Sequence, residues 1–275
     1  MAEPGVRLVC DARAAIGESP AWLSDSVYWT DPISRRLLKA KLNGELQSMP
    51  LGSSLWSLAA AAVDSLVGAL DDRLCAISIS GELAAGPAAT LDTGCRFNDM
   101  TVDRSGALWV GMMHRGVLAT RGAIFHAASV RAKPTRAASG LGVPNGMKLS
   151  ADGRTLYVID TLERTLLAYP VDGGMLAEPF IVSDFLGLPG KPDGMTLGAD
   201  GTFWVAMWGG SCVVQLASDG AFIRTIAIPA PHVSSLCVVG ANRLMVTTSR
   251  MRLGPQALGN HPASGGLFEI SLEST

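Results

Sequence analysis

A pattern that recurs along the whole chain constrains its fold more than any other feature. Residues 97–110, 144–158 and 192–205 share one order: a polar residue, a short apolar strand, an Asp-Gly or Ser-Gly pair, and a strand with an aromatic residue. Asp-Gly between apolar runs is typical of a β-hairpin. Three weaker copies complete the set, at residues 19–29, 57–67 and 235–246.

Each copy has an anchor position in its second strand, and consecutive anchors lie 38 to 48 residues apart. The anchors are Trp29, Val67, Trp109, Tyr157, Trp204 and Val246. This period fits four short strands with their turns, which is one propeller blade. The sequence therefore predicts an all-β fold, a six-bladed β-propeller with four-stranded antiparallel blades and a metal site in the central channel, as a single domain over residues 1–275. A helical fold is disfavoured because almost no helical pattern occurs, and a β-sandwich is disfavoured because it does not account for six copies.

We expect the two ends of the chain to meet in one blade. Residues 266–270 read as an apolar strand near the C-terminus, and residues 6–10 read as a strand near the N-terminus. Pairing between them would close the ring and protect the edges that an open array of strands would expose.

Composition argues against several classes of partner. The formal net charge is −2, so neither a nucleic-acid nor an anionic-membrane partner is indicated. The sequence opens without a basic and apolar leader, and Pro, Gly, Ser or Asn break its long uncharged stretches. The five cysteines are odd in number and form no C-x-x-C, which favours reduced, mostly buried thiols. We therefore expect a cytoplasmic protein that is a monomer or a weak homo-oligomer.

One position of the repeat carries oxygen donors in four of the six copies. Counting back eleven or twelve residues from each anchor gives Glu18, Trp56, Asn98, Asn145, Asp193 and Ser235. Equivalent residues at the start of the inner strands converge on a propeller axis. Two carboxylates in that space repel unless a cation lies between them, and an all-oxygen set suits a divalent ion. The alternative is that Asn and Asp before Gly are ordinary turn residues.

Four ordered motifs resemble the gluconolactonase/regucalcin family, also called the senescence marker protein family. They are Gly-Glu-Ser-Pro-Ala-Trp at 17–22, Arg-Phe-Asn-Asp at 96–99, Pro-Asn-Gly at 144–146 and Pro-Asp-Gly-Met at 192–195. The resemblance implies a six-bladed propeller with one catalytic divalent ion, which is calcium, zinc, magnesium, manganese or iron(II).

The same resemblance assigns roles to individual side chains. It implies that Glu18, Asn145 and Asp193 ligate the metal directly, and that Arg96 and Asn98 contact the substrate. Related phosphotriesterase-type propellers use Glu, two Asn and Asp, so Asn98 as a fourth ligand stays open. It also implies hydrolysis of a small sugar lactone to the aldonic acid, a step of carbohydrate metabolism. Asp193 is then the candidate general base for the attacking water.

Two loops bear on the substrate. In the animal branch of the family, acidic residues follow the aromatic strand of the third blade, whereas this chain has His114 and Arg115 there. The particular lactone therefore cannot be carried over from that branch. Residues 249–252 resemble a family loop near the channel mouth. Two other functions stay open: a phosphotriesterase or another lactonase on the same metal frame, and a non-enzymatic calcium-binding propeller.

Several further side chains have two interpretations. Asp99 is expected to face a turn, because successive side chains of a strand point to opposite faces. His114 and His232 either line the channel mouth or lie in surface loops. Trp56 is either a wall of the channel or part of the core, and the tryptophan anchors are expected in the core. The absence of a Gly-x-Ser-x-Gly motif leaves a Ser-His-Asp hydrolase unsupported.

Overall fold

The computed structural model describes residues 5–62 and 65–272. Residues 63 and 64, in the turn predicted for the second copy of the repeat, lie outside this part, as do residues 1–4 at the N-terminus. Antiparallel strands make up nearly all of the regular secondary structure of the described residues, and one short helix, α1 (Pro255–Asn260), accompanies them. The prediction of an all-β fold is confirmed.

Three sheets of four strands each come first in the chain, after strand β1 (Gly5–Cys10). The first sheet contains β2 (Glu18–Leu23), β3 (Ser26–Asp31), β4 (Arg36–Lys41) and β5 (Leu46–Pro50). The second contains β6 (Ser57–Ala62), β7 (Ser65–Ala69), β8 (Arg73–Ile77) and β9 (Leu83–Ala88). The third contains β10 (Cys95–Val102), β11 (Leu108–His114), β12 (Gly122–Ala127) and β13 (Thr135–Leu141). Within each sheet the strands follow chain order, as a propeller blade requires.

The remaining strands depart from the uniform four-stranded pattern that the sequence predicted. The fourth sheet has five strands, β14 (Pro144–Leu149), β15 (Thr155–Asp160), β16 (Thr165–Asp172), β17 (Met175–Leu176) and β18 (Phe180–Asp184). The last sheet has eight strands, β19 (Lys191–Leu197), β20 (Phe203–Trp208), β21 (Cys212–Leu216), β22 (Phe222–Ala227), β23 (His232–Val239), β24 (Arg243–Ser249), β25 (Leu267–Ser271) and β1. The single pair Trp208–His232 joins its two groups of four strands.

The innermost strands of successive groups lie side by side around a common centre. Strand β2 contacts β6, β6 contacts β10, β10 contacts β14, β14 contacts β19, and β19 contacts β23. Strand β23 then contacts β2, so the six inner strands form a closed ring of contacts. The small antiparallel sheets therefore have a propeller-like arrangement, and their inner strands surround a channel.

Strand β1 pairs with β25, as the sequence predicted for the two ends of the chain. Val6 lies opposite Ile270 and Arg7 lies opposite Glu269. The guanidinium of Arg7 donates Nε to Glu269 Oε1 at 3.1 Å and Nη2 to Glu269 Oε2 at 2.8 Å. This two-pronged ion pair fixes the register of the strand that closes the ring.

The hydrophobic core lies between neighbouring sheets. One cluster combines Tyr28 and Leu37 of the first sheet with Leu58 and Leu66 of the second. The tryptophan anchors Trp29, Trp109 and Trp204 are at most 3% exposed, so their assignment to the core is confirmed. The Ser-Gly and Asp-Gly pairs of the repeats turn between strands, and their glycines have positive φ at Gly106, Gly153 and Gly201.

All five cysteines are free thiols, three of them buried and two half-buried. This confirms the absence of a disulfide framework. The helix that the described residues contain is too short and too polar to cross a membrane.

Candidate metal centre

The inner strands bulge where the sequence placed its candidate ligands. The pairing register shifts between Glu18 and Ala21 in β2, between Phe97 and Met100 in β10, and between Pro192 and Met195 in β19. Comparable shifts occur in β14 and β23. A β-bulge bends a strand and turns an extra side chain toward one face. Each bulge therefore aims polar side chains into the channel rather than into the core.

Three of the predicted residues form one continuous chain of hydrogen bonds. Asn98 Nδ2 donates to Asn145 Oδ1 at 3.0 Å, and Asn145 Nδ2 donates to Asp193 Oδ1 at 2.6 Å. Asn145 Nδ2 also reaches Thr161 Oγ1 at 3.0 Å, and the Thr161 hydroxyl donates to the carbonyl of Pro192 at 2.8 Å. The side chains from β10, β14 and β19 are thus held together, as the phase of the repeat predicted.

Glu18 completes the group from the opposite strand β2. It lines a small cavity together with Asn98, Asn145 and Arg96. Burial raises the pKa of Glu18 well above its usual value, and the nearby carboxylates of Asp193 and Asp99 raise it further. The pKa of Asp193, whose side chain is also buried, is raised by burial first and by Asp99 second. Acidic groups that repel one another therefore share a site with little water.

Asp99 faces the channel, so the expectation that it faces a turn is wrong. Its Oδ1 accepts from Ser57 Oγ at 2.8 Å and from Ser19 Oγ at 3.3 Å. The same oxygen accepts from the amide of Met100 at 2.8 Å, and Oδ2 accepts from the amide of Met147 at 3.3 Å. The bulge between Phe97 and Met100 breaks the alternation on which the expectation rested. One carboxylate thereby ties together β2, β6, β10 and β14.

Arg96 lies at the edge of this group, where the sequence placed a substrate contact. Its Nη1 donates to Asn98 Oδ1 at 2.8 Å, and its guanidinium carbon lies 3.5 Å from the centre of the Trp56 ring. Burial, followed by the charge of Arg115, lowers the pKa of Arg96 to about 9. Trp56 is therefore a wall of the channel rather than a core residue, and its flat ring orients the guanidinium.

A second carboxylate, Asp71, supports this wall and was not singled out in the sequence. Its Oδ1 accepts from Trp56 Nε1 at 2.6 Å and pairs with Arg115 Nη2 at 2.8 Å. Arg115 is the residue that stands where the animal branch carries acidic residues. The substituted loop therefore adds a cation beside the site and fixes it on Asp71.

The other candidates lie farther from the centre. His114 lines neither cavity that contains the candidate ligands, and its Nδ1 accepts from the amide of Gly116 at 3.0 Å. His232 stacks on Trp208 with ring centres 4.4 Å apart and an interplanar angle of 8°. Ser235, the sixth member of the repeat position, is buried beside Gly194 and lines neither of these cavities. His114 therefore lies outside the two cavities, and His232 supports Trp208, which lines one of them.

The glycines after Asn145 and Asp193 permit the inner strands to approach closely. A Cβ at Gly146 would meet the carbonyl oxygen of Asp193 at 2.8 Å, and a Cβ at Gly194 would meet Ser235 Cα at 2.6 Å. Gly146 also has a positive φ of 46°. These Asn-Gly and Asp-Gly pairs lie within β14 and β19, so the alternative that they are loop turns is wrong. Small residues here narrow the channel around the polar group.

A cleft of about 320 Å³ opens beside the centre. Asn145, Asp193 and Arg96 line it together with Trp208 and two exposed cations, Lys191 and Arg252. Arg252 belongs to the segment that the sequence placed at the channel mouth. The cleft is large enough for a small sugar derivative. It is lined by both apolar and polar side chains, as small-molecule sites usually are.

The residues present fit a divalent cation. Within residues 5–62 and 65–272, no three His, Cys, Asp or Glu side chains form a group that holds a metal on their own. The amide oxygens of Asn98 and Asn145 are therefore needed beside the carboxylates, and each has a second lone pair that the hydrogen bonds above leave open. The pKa values of Glu18 and Asp193 are raised by burial first and by neighbouring negative charge second. A divalent ion with oxygen ligands would neutralise it.

Comparisons with known proteins agree over nearly the full chain. Residues 16–250 match the family model described as the SMP-30/Gluconolactonase/LRE-like region. The pentonolactonase XacC of Haloferax volcanii is 30% identical over 98% of this chain and 95% of its own. The L-arabinolactonase of Azospirillum brasilense is 28% identical over 95% and 90%. The structure of a calcium-binding protein, regucalcin, from Agrobacterium tumefaciens superposes with a TM-score of 0.89 at 29% identity, over 99% of this chain and 96% of the other.

Proposed function

Because the chain belongs to the SMP-30/gluconolactonase/LRE-like family, as its four motifs predicted, we propose that it is a hydrolase that opens a sugar lactone to the aldonic acid. Relatives that span almost all of it are named for the hydrolysis of pentono- and arabinolactones. The observation that carries the proposal is the hydrogen-bonded chain from Asn98 through Asn145 to Asp193, which shares the channel with Glu18.

The proposed centre holds one divalent metal ion through Glu18, Asn145 and Asp193, with Asn98 beside it. Oxygen donors of this kind accept calcium, zinc, magnesium, manganese and iron(II), and availability decides among them. When bound, such an ion supplies Lewis-acid activation of the lactone carbonyl. Burial and the repulsion between carboxylates raise the pKa values of Glu18 and Asp193, and a bound cation would favour their charged forms again, which supports this assignment.

Asp193 is the proposed general base. Asn145 donates to its Oδ1, and Oδ2 accepts from no donor among the described residues, so Oδ2 has lone pairs for a water proton. The amide of Asn145 fixes the plane of the carboxylate, and Thr161 fixes Asn145 in turn. Glu18 is proposed as a ligand only. Its carboxylate and that of Asp193 together would neutralise the two positive charges of the ion.

Arg96 and Asn98 are the proposed substrate contacts. Arg96 Nη1 already donates to Asn98 Oδ1, so the two side chains present one guanidinium and one amide as a unit. The guanidinium donates to ring oxygens or to the carboxylate that forms on hydrolysis. Its stack on Trp56 reduces the conformational freedom that substrate binding would otherwise remove.

The strand arrangement is best interpreted as a single domain with six blades. The closed sequence of contacts among β2, β6, β10, β14, β19 and β23 supports six inner strands. The eight-stranded sheet divides into two blades if the pair Trp208–His232 is counted as a contact between neighbours. In this interpretation four blades contribute the proposed site residues, which are Glu18, Arg96, Asn98, Asn145 and Asp193.

A lactonase assay with a matched pair of variants tests the proposal. Proton release from gluconolactone, pentonolactones and arabinolactone is followed at constant pH, with and without chelator and with each candidate metal. Asp193→Asn should lower kcat/KM by a factor of about 10² to 10⁴ because it removes the base. Asp219→Asn is the control, since this exposed carboxylate caps a turn through one oxygen only. Turnover that survives both chelation and Asp193→Asn would exclude the proposed centre.

A second candidate function is calcium binding without catalysis, which the regucalcin described as a calcium-binding protein favours. The same experiment separates the two functions. A protein that binds calcium with Glu18 and Asp193 but opens no lactone supports the second function over the first.

A further inference from the structure

The cleft beside the metal centre carries more positive charge than a neutral sugar lactone needs. Asp193 and Arg96 of the centre line it, and so do Lys191 and Arg252, whose side chains are exposed. The carboxylates of Glu18, Asp99 and Asp193 are balanced by Arg96 together with one divalent ion. Lys191 and Arg252 are therefore additional cations at the mouth, with no acidic residue of the centre left to neutralise them.

Neither of these two cations is paired elsewhere in the part of the chain that the structure describes. Seven other basic side chains form ion pairs with carboxylates, among them Arg7, Arg36 and Arg115. Lys191 and Arg252 are exposed, and no described carboxylate lies within ion-pair distance of either. Both charges are thus available to a ligand in the cleft.

Strand pairing and backbone hydrogen bonds fix the main chain at Lys191 and around Arg252. Lys191 begins β19 opposite Trp208 and lies two residues before Asp193. Arg252 has a positive φ of 61° in a turn after β24. That turn is anchored because the amide of Met251 donates to the carbonyl of Ala15 at 3.0 Å, and the amide of Leu253 donates to the carbonyl of Arg250 at 3.1 Å.

Trp208 lines the same cleft and lies opposite Lys191 in the pairing of β19 with β20. Its ring stacks on His232. Two residues of a strand span at most about 7 Å between Cα atoms. A lactone carbonyl at Asp193 would therefore place the far end of a five- or six-carbon chain near Lys191, along the face of Trp208.

We infer that the cleft selects lactones that carry an anionic group, a carboxylate or a phosphate, at the end of the chain remote from the ring carbonyl, an inference which rests on the proposed lactonase activity. Lys191 and Arg252 bind this group as a pair, and they act as specificity residues without touching the reacting atoms. A charge-assisted contact of this kind is worth about tenfold or more in affinity.

The test compares lactones that differ only at the far carbon. Gluconolactone has a hydroxymethyl group there, glucarolactone has a carboxylate, and 6-phosphogluconolactone has a phosphate, so the three distinguish the two sources of charge. For wild type we expect kcat/KM at least about tenfold higher on one anionic lactone than on the neutral one. The double variant Lys191→Gln with Arg252→Gln should lose that preference, because its kcat/KM falls at least about tenfold on the anionic lactone and less on gluconolactone. Lys133→Gln, at an exposed lysine outside the cleft, is the control.

A binding measurement keeps this inference separable from the proposed function. Calorimetric titration of the metal-loaded protein with gluconate and with glucarate compares one carboxylate with two. Tighter binding of glucarate that disappears in the double variant supports the inference even if no lactone is turned over. Equal kcat/KM on neutral and anionic lactones, with equal binding of both acids, overturns it while lactone turnover leaves the proposed function standing.

Discussion

Asp99 offers the sharpest test of how the channel is built, because one carboxylate accepts from four donors on three neighbouring strands and its own. The substitution Asp99→Asn keeps the shape of the side chain and replaces one oxygen by an amide nitrogen. If the amide oxygen occupies the Oδ1 position, the new NH₂ group faces the amide of Met147; in the other orientation it faces the amide of Met100. Either way, one backbone N–H loses its acceptor.

The magnitude follows from that single lost acceptor. The serine hydroxyls of Ser19 and Ser57 can rotate and accept from an amide, so they adapt. A backbone donor left without a partner costs about 1–3 kcal/mol. The free energy of unfolding should fall by this amount, which corresponds to a drop in Tm of about 2 to 12 °C for a domain of comparable size.

Urea unfolding followed by tryptophan fluorescence measures the effect, with chelator present so that metal binding does not contribute. The experiment is run at about pH 5, because the raised pKa values of Glu18 and Asp193 favour their protonated forms as pH falls. At higher pH, removal of one negative charge would offset part of the loss. The control is Asp103→Asn, because Oδ1 of Asp103 alone accepts all three hydrogen bonds of a surface turn. Equal stability of Asp99→Asn and wild type, or equal loss in both variants, would refute the reasoning.

Three further predictions concern the same channel. In chelated protein the raised pKa of Glu18, whose usual value is 4.5, means that the folded state binds more protons than the unfolded state. The free energy of unfolding should therefore fall as pH rises above 4.5, and Glu18→Gln should flatten that fall in urea titrations between about pH 5 and pH 8; an unchanged slope would contradict it. Gly194→Ala should lower the free energy of unfolding by about 1–3 kcal/mol through overpacking, whereas Gly259→Ala, whose Cβ meets nothing within 4 Å, should not. Arg96→Lys keeps the charge but loses the stack on Trp56, so kcat/KM should fall about tenfold with little change in Tm; full activity would argue against the assigned contact.

The sequence predicted the class of fold and the residues that meet in the channel, because both depend on the period of the repeat. Each anchor lies in the second strand of its group, and counting back from the anchor reached Asn98, Asn145 and Asp193. Hydrophobic periodicity and hairpin signals are local, so they survive without knowledge of how the sheets are arranged.

Features that depend on contacts between strands were not predictable in the same way. Asp99 was assigned to the wrong face because strand alternation holds only where no bulge interrupts it, and no residue type announces this bulge. Asp71 and Lys191 carry no motif, and only the approach of distant segments gives them a role. The additional strand of the fourth sheet, β17, pairs through two residues, which is too short a run to leave a periodic signal.

The seam between β1 and β25 places a constraint on how the chain is made. Arg7 and its partner Glu269 are 262 positions apart, so β1 can pair only after β25 has been synthesised. Until then the outer edge of the final blade is open, and such an edge is a site for wrong pairing with other nascent chains. Contacts of such long range also slow the search for the native state. The ring therefore closes only after β25 has been synthesised, and shortening β1 would prolong the vulnerable period more than it would alter the finished molecule's chemistry.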